Sequence, residues 1–234
     1  MGNDIMDLEQ LAVYLQRDAR EVSKMASRGY LPGHKVSGQW RFYPAEINHW
    51  IETQMHAYTE QELTALEKGP ERVADQQPLV AALLTEATMA VPLRASSRAS
   101  VLKELVTLAE QSWQVYDPEA VLEAIRQREE MGSTALDSGV AIPHPRRALP
   151  RALGEHVLAY GRTVNPLPFG SGRSGLTDIF FLVCCRDDRT QLRVLARLSR
   201  LMLRPGFIDE LRAAATAAET LQVIEGAEGE LVGD

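Results

Sequence analysis

Arg128-Glu129-Glu130-Met131-Gly132-Ser133-Thr134 is followed, after Ala135 to Ser138, by Gly139-Val140-Ala141-Ile142-Pro143-His144-Pro145. The first run closes a helix that opens at Asp117-Pro118-Glu119-Ala120, with proline at the first helical position, and ends near Met131. The second run starts as a short apolar strand, Gly139 to Ile142, and stops on a histidine between two prolines. Proline fixes φ at 143 and 145 and pushes residues 142 and 144 toward extended backbone, so His144 sits on a stiff, non-helical segment at a strand end. Strand ends are where α/β sheets place their chemistry. A neutral imidazole is a nucleophile that can carry a phosphoryl group on nitrogen, and such transfer rests on positioning and on donors for the phosphoryl oxygens. Arg128, Ser133 and Thr134 supply donors just upstream, and Arg126, Arg146 and Arg147 add positive charge. The residues alone leave a second reading open, in which His144 is a surface histidine in a proline-containing turn.

Working outward, residues 79–234 read as one domain of interleaved helices and strands. Ser100 to Gln111 is amphipathic through Val101, Leu105, Leu108 and Ala109. His156 to Arg162 reads as a strand, and Thr177 to Cys185, almost wholly apolar, as a central strand buried on both faces. Thr190 to Leu203, Gly206 to Ala214 and Ala218 to Ile224 read as closing helices. The class is therefore α/β, a sheet covered by helices. Gly170-Ser171-Gly172-Arg173-Ser174-Gly175 has the composition of a phosphate cradle, but a strand follows it rather than a helix, so it reads as a hairpin connection. His156 has no metal-ligand spacing to His144 and reads as structural or exposed. Cys184 and Cys185 are adjacent, so they neither staple distant segments nor complete a zinc site, and they read as small core residues. The sequence calls for no metal and no cofactor.

The chain has 234 residues, 45% of them hydrophobic, and a formal net charge of −7. That charge argues against a surface uniformly dressed for nucleic acid, though a local basic patch is compatible with it. No basic-then-apolar start suggests a secretion signal, no apolar run approaches a membrane span, and the cysteine usage suits a reducing cytoplasm.

Residues 1–56 read as a second, small domain. Asp7 with Gln10 forms a capping pair ahead of Leu8, Leu11, Ala12 and Leu15 at helical spacing. Asp18 with Glu21 repeats the pattern ahead of Val22, Met25 and Ala26, and Gly29 ends the second helix. A hairpin turns at Ser37-Gly38, and Pro44 opens a third helix carrying Ile47, Trp50 and Ile51. Trp40 and Trp50 read as core rather than as a base-stacking platform. Residues 18–41 carry a net +3 within a module that is net −1, so one side is basic. Residues 57–78 hold five acids against two bases, with Gly69-Pro70 and Pro78 as breakers, and read as an acidic linker, helical in its first half.

The paired runs at 128–134 and 139–144 resemble the signature of the fructose/mannitol-type IIA domains of the bacterial phosphotransferase system, a group that includes the nitrogen-regulatory IIA proteins. The resemblance spans roughly residues 79–226 and implies a helix-flanked mixed β-sheet. It implies that His144 takes phosphate from a phosphorylated histidine carrier protein, that Arg128 lies beside the phosphohistidine, and that Thr134 is the threonine of the Gly-Ser-Thr motif. Members usually carry a second active-site histidine where the helix after the long central strand begins. Gln191 stands there in this chain. Its amide can hydrogen-bond an imidazole or phosphate but cannot carry charge, which fits a sensor better than a high-flux phosphocarrier.

Residues 5–56 resemble the excisionase and MerR-like winged helix-turn-helix domains, on Leu11, Ala12, Leu15, Val22, Met25, Gly29, Leu31-Pro32, Lys35, Trp40-Arg41-Phe42, Ile47 and Trp50. That resemblance implies Arg20, Lys24 and Arg28 as groove-facing residues and Lys35 and Arg41 as wing residues touching DNA. So few phosphate contacts support only weak binding by one copy, which points to a homodimer. The expectation is a two-domain regulator that does not insert in a membrane. The alternatives are a phosphocarrier in a sugar- or nitrogen-linked relay whose N-terminal module is a protein-interaction tether, and a domain that has lost phosphate chemistry and binds partners non-covalently.

Overall fold

The computed structural model describes residues 5–68, 79–170 and 175–233. The chain divides into two compact units, Met1–Asp75 and Gln76–Asp234.

In the first unit, α1 (Leu8–Leu15) begins with a reciprocal cap: Gln10 N–H donates to Asp7 and the Gln10 side chain accepts from Asp7 N–H, both at 2.9 Å. Gln16, at φ +52°, ends it in the left-handed region, and Asp18 then caps α2 (Ala19–Ser27) by accepting from Arg20 N–H at 2.8 Å. Gly29 terminates α2 at φ +72°. Strands β1 (His34–Val36) and β2 (Gln39–Arg41) pair antiparallel about Ser37 and Gly38, both at positive φ, the turn that matches strand twist. Helix α3 (Pro44–Gln54) follows with proline in its first turn. Leu11, Val22, Leu31, Phe42, Ile47 and Ile51 form the core, while Met25, Trp40 and Trp50 are only half-buried. Trp40 stacks on buried Phe42 at 5.8 Å between ring centroids.

A fourth helix, α4 (Glu60–Lys68), lies in the stretch read as linker. Thr59 and Glu62 cap it reciprocally, Leu63 is buried, and Gln16 Nε2 of the α1 terminus donates to the Ala65 carbonyl at 2.9 Å. The stretch from residue 57 thus contains a helix held on the first unit. This is the helix expected in the first half of that stretch. The remainder of the expected linker, 69–78, lies outside the described residues.

In the second unit the elements are β3 (Met89–Ala90), α5 (Arg98–Glu110), α6 (Pro118–Glu130), β4 (Val140–Ala141), β5 (Val157–Pro168), β6 (Leu176–Cys184), α7 (Asp188–Leu203), α8 (Phe207–Ala213) and α9 (Ala217–Gly233). The sheet order is β3-β5-β6-β4, with β5 and β6 antiparallel and the outer strands parallel to their neighbours. Alternate residues of the two long strands divide between faces. Val157, Ala159, Phe180, Leu182 and Cys184 pack with Val101, Leu105, Ala109, Val121 and Ile125 of α5 and α6. The intervening Leu158, Tyr160, Ile179, Phe181 and Val183 are buried on the other face, where α7 packs against β6 and α8 and α9 pack on α7. This is a helix-flanked mixed β-sheet, as expected.

Three elements exceed the sequence reading. Strand β5 runs on from Arg162 to Pro168 through a register shift, α9 (Ala217–Gly233) continues past Ile224 to Gly233, and the two-residue β3 was not anticipated. Cys184 and Cys185 are free, buried thiols, and burial pushes the Cys184 thiol up to about 12. Among the described residues no helix is long and apolar enough to cross a membrane.

Gly139, which launches β4, has φ +84°, and a Cβ there would come within 2.7 Å of the Arg212 guanidinium. Gly139→Ala should therefore cost about 1–2 kcal/mol of stability, read as a lower urea midpoint with unchanged slope.

Candidate phosphoacceptor site

His144 emerges from β4 on a segment in which the carbonyls of Ile142, Pro143 and Pro145 each accept a hydrogen bond. The Pro143 carbonyl accepts from Val183 N–H at 2.9 Å, continuing the β4–β6 pairing beyond the strand. The Pro145 carbonyl accepts from Gln191 Nε2 at 2.9 Å. Prolines offer no N–H, so carbonyl acceptance is how this segment is fastened. Two further bonds, Leu149 N–H to the Cys185 carbonyl and Ala148 N–H to Asp188 Oδ1, tie the chain after His144 to the start of α7.

His144 is only 4% exposed, which rules out the surface-histidine reading. Its Nδ1 lies 2.7 Å from the Ile142 carbonyl oxygen. A carbonyl only accepts, so Nδ1 carries the proton and the lone pair of the neutral ring lies on Nε2. The segment therefore fixes which ring nitrogen carries the lone pair.

The two sequence runs meet because residues 134–142 form a tight hairpin. Ala135 and Ala141 bridge antiparallel, Leu136 N–H donates to the Val140 carbonyl at 2.8 Å, and Ile142 N–H donates to the Thr134 carbonyl at 3.3 Å. That register explains the spacing between the Gly-Ser-Thr and Ile-Pro-His runs. Thr134 donates through both its N–H and its hydroxyl to the Glu129 carboxylate. Arg128, 5% exposed, closes the turn below by donating from Nη1 to the Gly132 carbonyl at 2.9 Å. Ser133 donates to the Phe169 carbonyl at 3.3 Å. Arg126 and Arg147 are exposed and Arg146 is half-buried.

Thr134 and Gln191 are thus both brought against the His144 segment. Gln191 is buried in the first turn of α7, and its amide bonds the backbone next to His144. Two contributors escaped the sequence reading. Glu129 was quoted within the motif but given no role, and Arg98, which pairs with it at 2.5 Å, lies about thirty positions upstream with no local signal. His156 is half-buried and accepts from Arg186 N–H at 3.1 Å. Of the Gly170–Gly175 loop, residues 171–174 lie outside the described residues, and the strands on either side pair antiparallel.

In the first unit, Arg20, Lys24 and Arg28 are exposed at four-residue spacing, so α2 and its αR C-cap residue Arg28 present them on one face. Lys35 is exposed on β1, its ammonium 5.1 Å from the Trp40 ring centroid, and half-buried Arg41 donates to Gln39 at 3.1 Å. Glu21, in the first turn of α2, is drawn to Arg17 at 2.6 Å.

Residues 82–227 match the family described as phosphoenolpyruvate-dependent sugar phosphotransferase system, EIIA 2. The chain belongs to this EIIA family. Residues 5–55 match the family described as a helix-turn-helix domain. Over 135 residues the chain is 33% identical to a nitrogen regulatory protein of Bradyrhizobium diazoefficiens, covering 56% of this chain and 85% of that protein. Over 144 residues it is 28% identical to the fructose-specific EIIABC component of Bacillus subtilis, covering 61% of this chain but only 22% of that protein. The nitrogen regulatory protein IIA-Ntr of Neisseria meningitidis shares the fold, with a TM-score of 0.56 at 24% identity, over 63% of this chain and 99% of that one. The EIIA domain thus carries His144 at the end of β4, and a helix-turn-helix domain precedes it in the chain.

Proposed function

We propose that the protein is a two-domain regulator in which His144 of the EIIA domain accepts a phosphoryl group from a phosphorylated histidine carrier protein and thereby modulates DNA binding by the helix-turn-helix. The observation that carries this reading is the fixed ring of His144, with Nδ1–H held by the Ile142 carbonyl and the lone pair on Nε2. In the transfer, the Nε2 lone pair attacks phosphorus, the nitrogen–phosphorus bond of the donor breaks, and the donor imidazole leaves with that electron pair. The positive charge developing on His144 is shared through Nδ1–H with the carbonyl. Burial of the ring keeps water from the new bond. Arg128, by the family motif, supplies the cation beside the phosphoryl oxygens.

Phosphorylation adds roughly −1.5 to −2 charges at this site, by analogy with phosphorylated hydroxyls. Gln191, bonded beside His144 where relatives usually hold a histidine, adds no charge to balance them. Such a change suits a state that is read rather than passed on. DNA is the proposed partner of Arg20, Lys24, Arg28, Lys35 and Arg41, with a homodimer supplying the second half-site.

The test compares binding of fully phosphorylated and unphosphorylated protein to a pool of DNA fragments at low salt. A different affinity in the two states supports the regulator. Equal affinities would leave a phosphocarrier with an attached DNA-binding module, and no binding in either state would leave a phosphocarrier with a protein-interaction tether. Where binding occurs, five phosphate contacts per copy give a slope of log affinity on log salt of about −4.5, and Lys24→Ala should make it shallower by about 1.

A further inference from the structure

Glu129 has no part in the chemistry above, yet it is among the most engaged groups near the site. It is buried in the last turn of α6, and its carboxylate joins three segments. Oε2 accepts from Arg98 Nη2, in the first turn of α5, at 2.5 Å. Oε1 accepts from Thr134 N–H at 3.2 Å and from the Thr134 hydroxyl. Arg98 is steadied in turn, since the same Nη2 donates to the Glu129 carbonyl at 2.7 Å and its guanidinium lies 5.4 Å from the Phe169 ring centroid. From Thr134 the run continues through backbone. Its carbonyl accepts from Ile142 N–H at 3.3 Å, and the Ile142 carbonyl takes Nδ1–H of His144 at 2.7 Å. Pro143 offers no N–H, so the Ile142 carbonyl is oriented from the other side of that residue, by the bond to Thr134.

We infer that Glu129 is a positioning residue for phosphoryl acceptance: paired with Arg98, it holds Thr134 and through it the Ile142 peptide in the orientation that keeps His144 in the Nδ1–H form. The inference rests on the proposed function of His144, and it gives the acidic residue of the motif a task distinct from that of Arg128. A carboxylate suits the task because two oxygens can serve Arg98 and Thr134 at once, whereas the amide of glutamine has a single acceptor oxygen.

The experiment labels the histidine rings with nitrogen-15 and follows His144 in the full-length protein, assigned by its loss in His144→Ala. Rates of phosphorylation by a phosphorylated histidine carrier protein are measured in parallel. Wild type should show one His144 tautomer, protonated on Nδ1. Glu129→Gln and Thr134→Val should show mixed tautomers and a rate lower by about 100-fold, the cost of a reacting group displaced by about an ångström. Thr134→Ser, which keeps the hydroxyl, should restore the single Nδ1–H tautomer that Thr134→Val loses. A wild-type tautomer signal in folded Glu129→Gln and Thr134→Val would overturn the inference. Should Glu129→Gln fail to fold, Thr134→Val decides. A Thr134→Val protein that lost its fold would make the hydroxyl a stability element and would equally overturn the positioning role. The ring signals need no phosphate, so a wild-type protein that takes none refutes the proposed function while leaving this test readable.

Discussion

Glu228→Ala is expected to melt the EIIA domain at least about 10 °C below wild type. Glu228 is 1% exposed on α9 and accepts four hydrogen bonds: from the backbone N–H groups of Leu79, Val80 and Ala81 at 2.7 to 2.9 Å, and from Arg197 Nη1 at 2.7 Å. Arg197, on α7, is itself 2% exposed. Alanine takes away the carboxylate that balances a buried guanidinium, a loss that typically costs about 3–5 kcal/mol. It also strips the acceptor from three consecutive backbone donors, each of which adds to the cost when left buried. These penalties overlap, so about 4 kcal/mol is a fair floor, against a total stability of about 5–15 kcal/mol for a typical domain. At about 2–4 °C per kcal/mol for a domain of this size, the melting temperature falls by roughly 10 °C or more. Glu228→Gln keeps one acceptor oxygen and should fall between the two. A calorimetric shift of a degree or two for Glu228→Ala would mean that the segment entering the domain is not anchored as described.

The second large effect concerns Arg128. Its guanidinium is buried, and one nitrogen is committed to the Gly132 carbonyl, so the group is held rather than swinging in solvent. Under the proposed function it is a pre-set donor for the phosphoryl oxygens as they pass to His144. Removal of one such donor from a water-excluded site typically costs about 100- to 1000-fold in rate. Arg128→Met, which keeps much of the packing volume, should therefore slow phosphorylation by that factor in single-turnover measurements. Arg128→Lys should recover little of it, because an ammonium lacks the planar fork that can hold Gly132 and a phosphoryl oxygen together. A rate within a few-fold of wild type in Arg128→Met would assign the residue to the turn alone.

The fold was legible where local chemistry and burial agree. Asp7, Asp18 and Asp117 announced three helices, and each side chain accepts the expected backbone bond. The apolar run from Thr177 to Cys185 announced a strand covered on both sides, and β6 lies inside the sheet. The extent of α9 was not legible, because Glu225, Gly226, Glu228 and Gly229 have poor helical patterning, and one of its acids is buried by partners 147 to 149 residues away. Two-residue β3 is defined by pairing with β5 and has no periodicity to read. Helix α4 falls in the first half of the acidic stretch, where a helix was expected.

At the site, the proline-flanked histidine could be read as stiff but not as buried, since burial depends on β6 and α7 closing over it. Its tautomer depends on a carbonyl two residues away, a geometry set by the prolines and by Thr134. Arg98 was invisible for a plainer reason: it reaches Glu129 across 31 positions, and nothing around it marks that destination.

The measurement that bears most directly on the account is the intact mass of the protein after incubation with a phosphorylated histidine carrier protein, for wild type and His144→Ala side by side. Wild type should gain one phosphoryl group, lost on acid treatment as expected for a nitrogen–phosphorus bond, and His144→Ala should gain none. Equal labelling of the two proteins, or no labelling of either by a donor that remains phosphorylated, would contradict His144 as the phosphoacceptor.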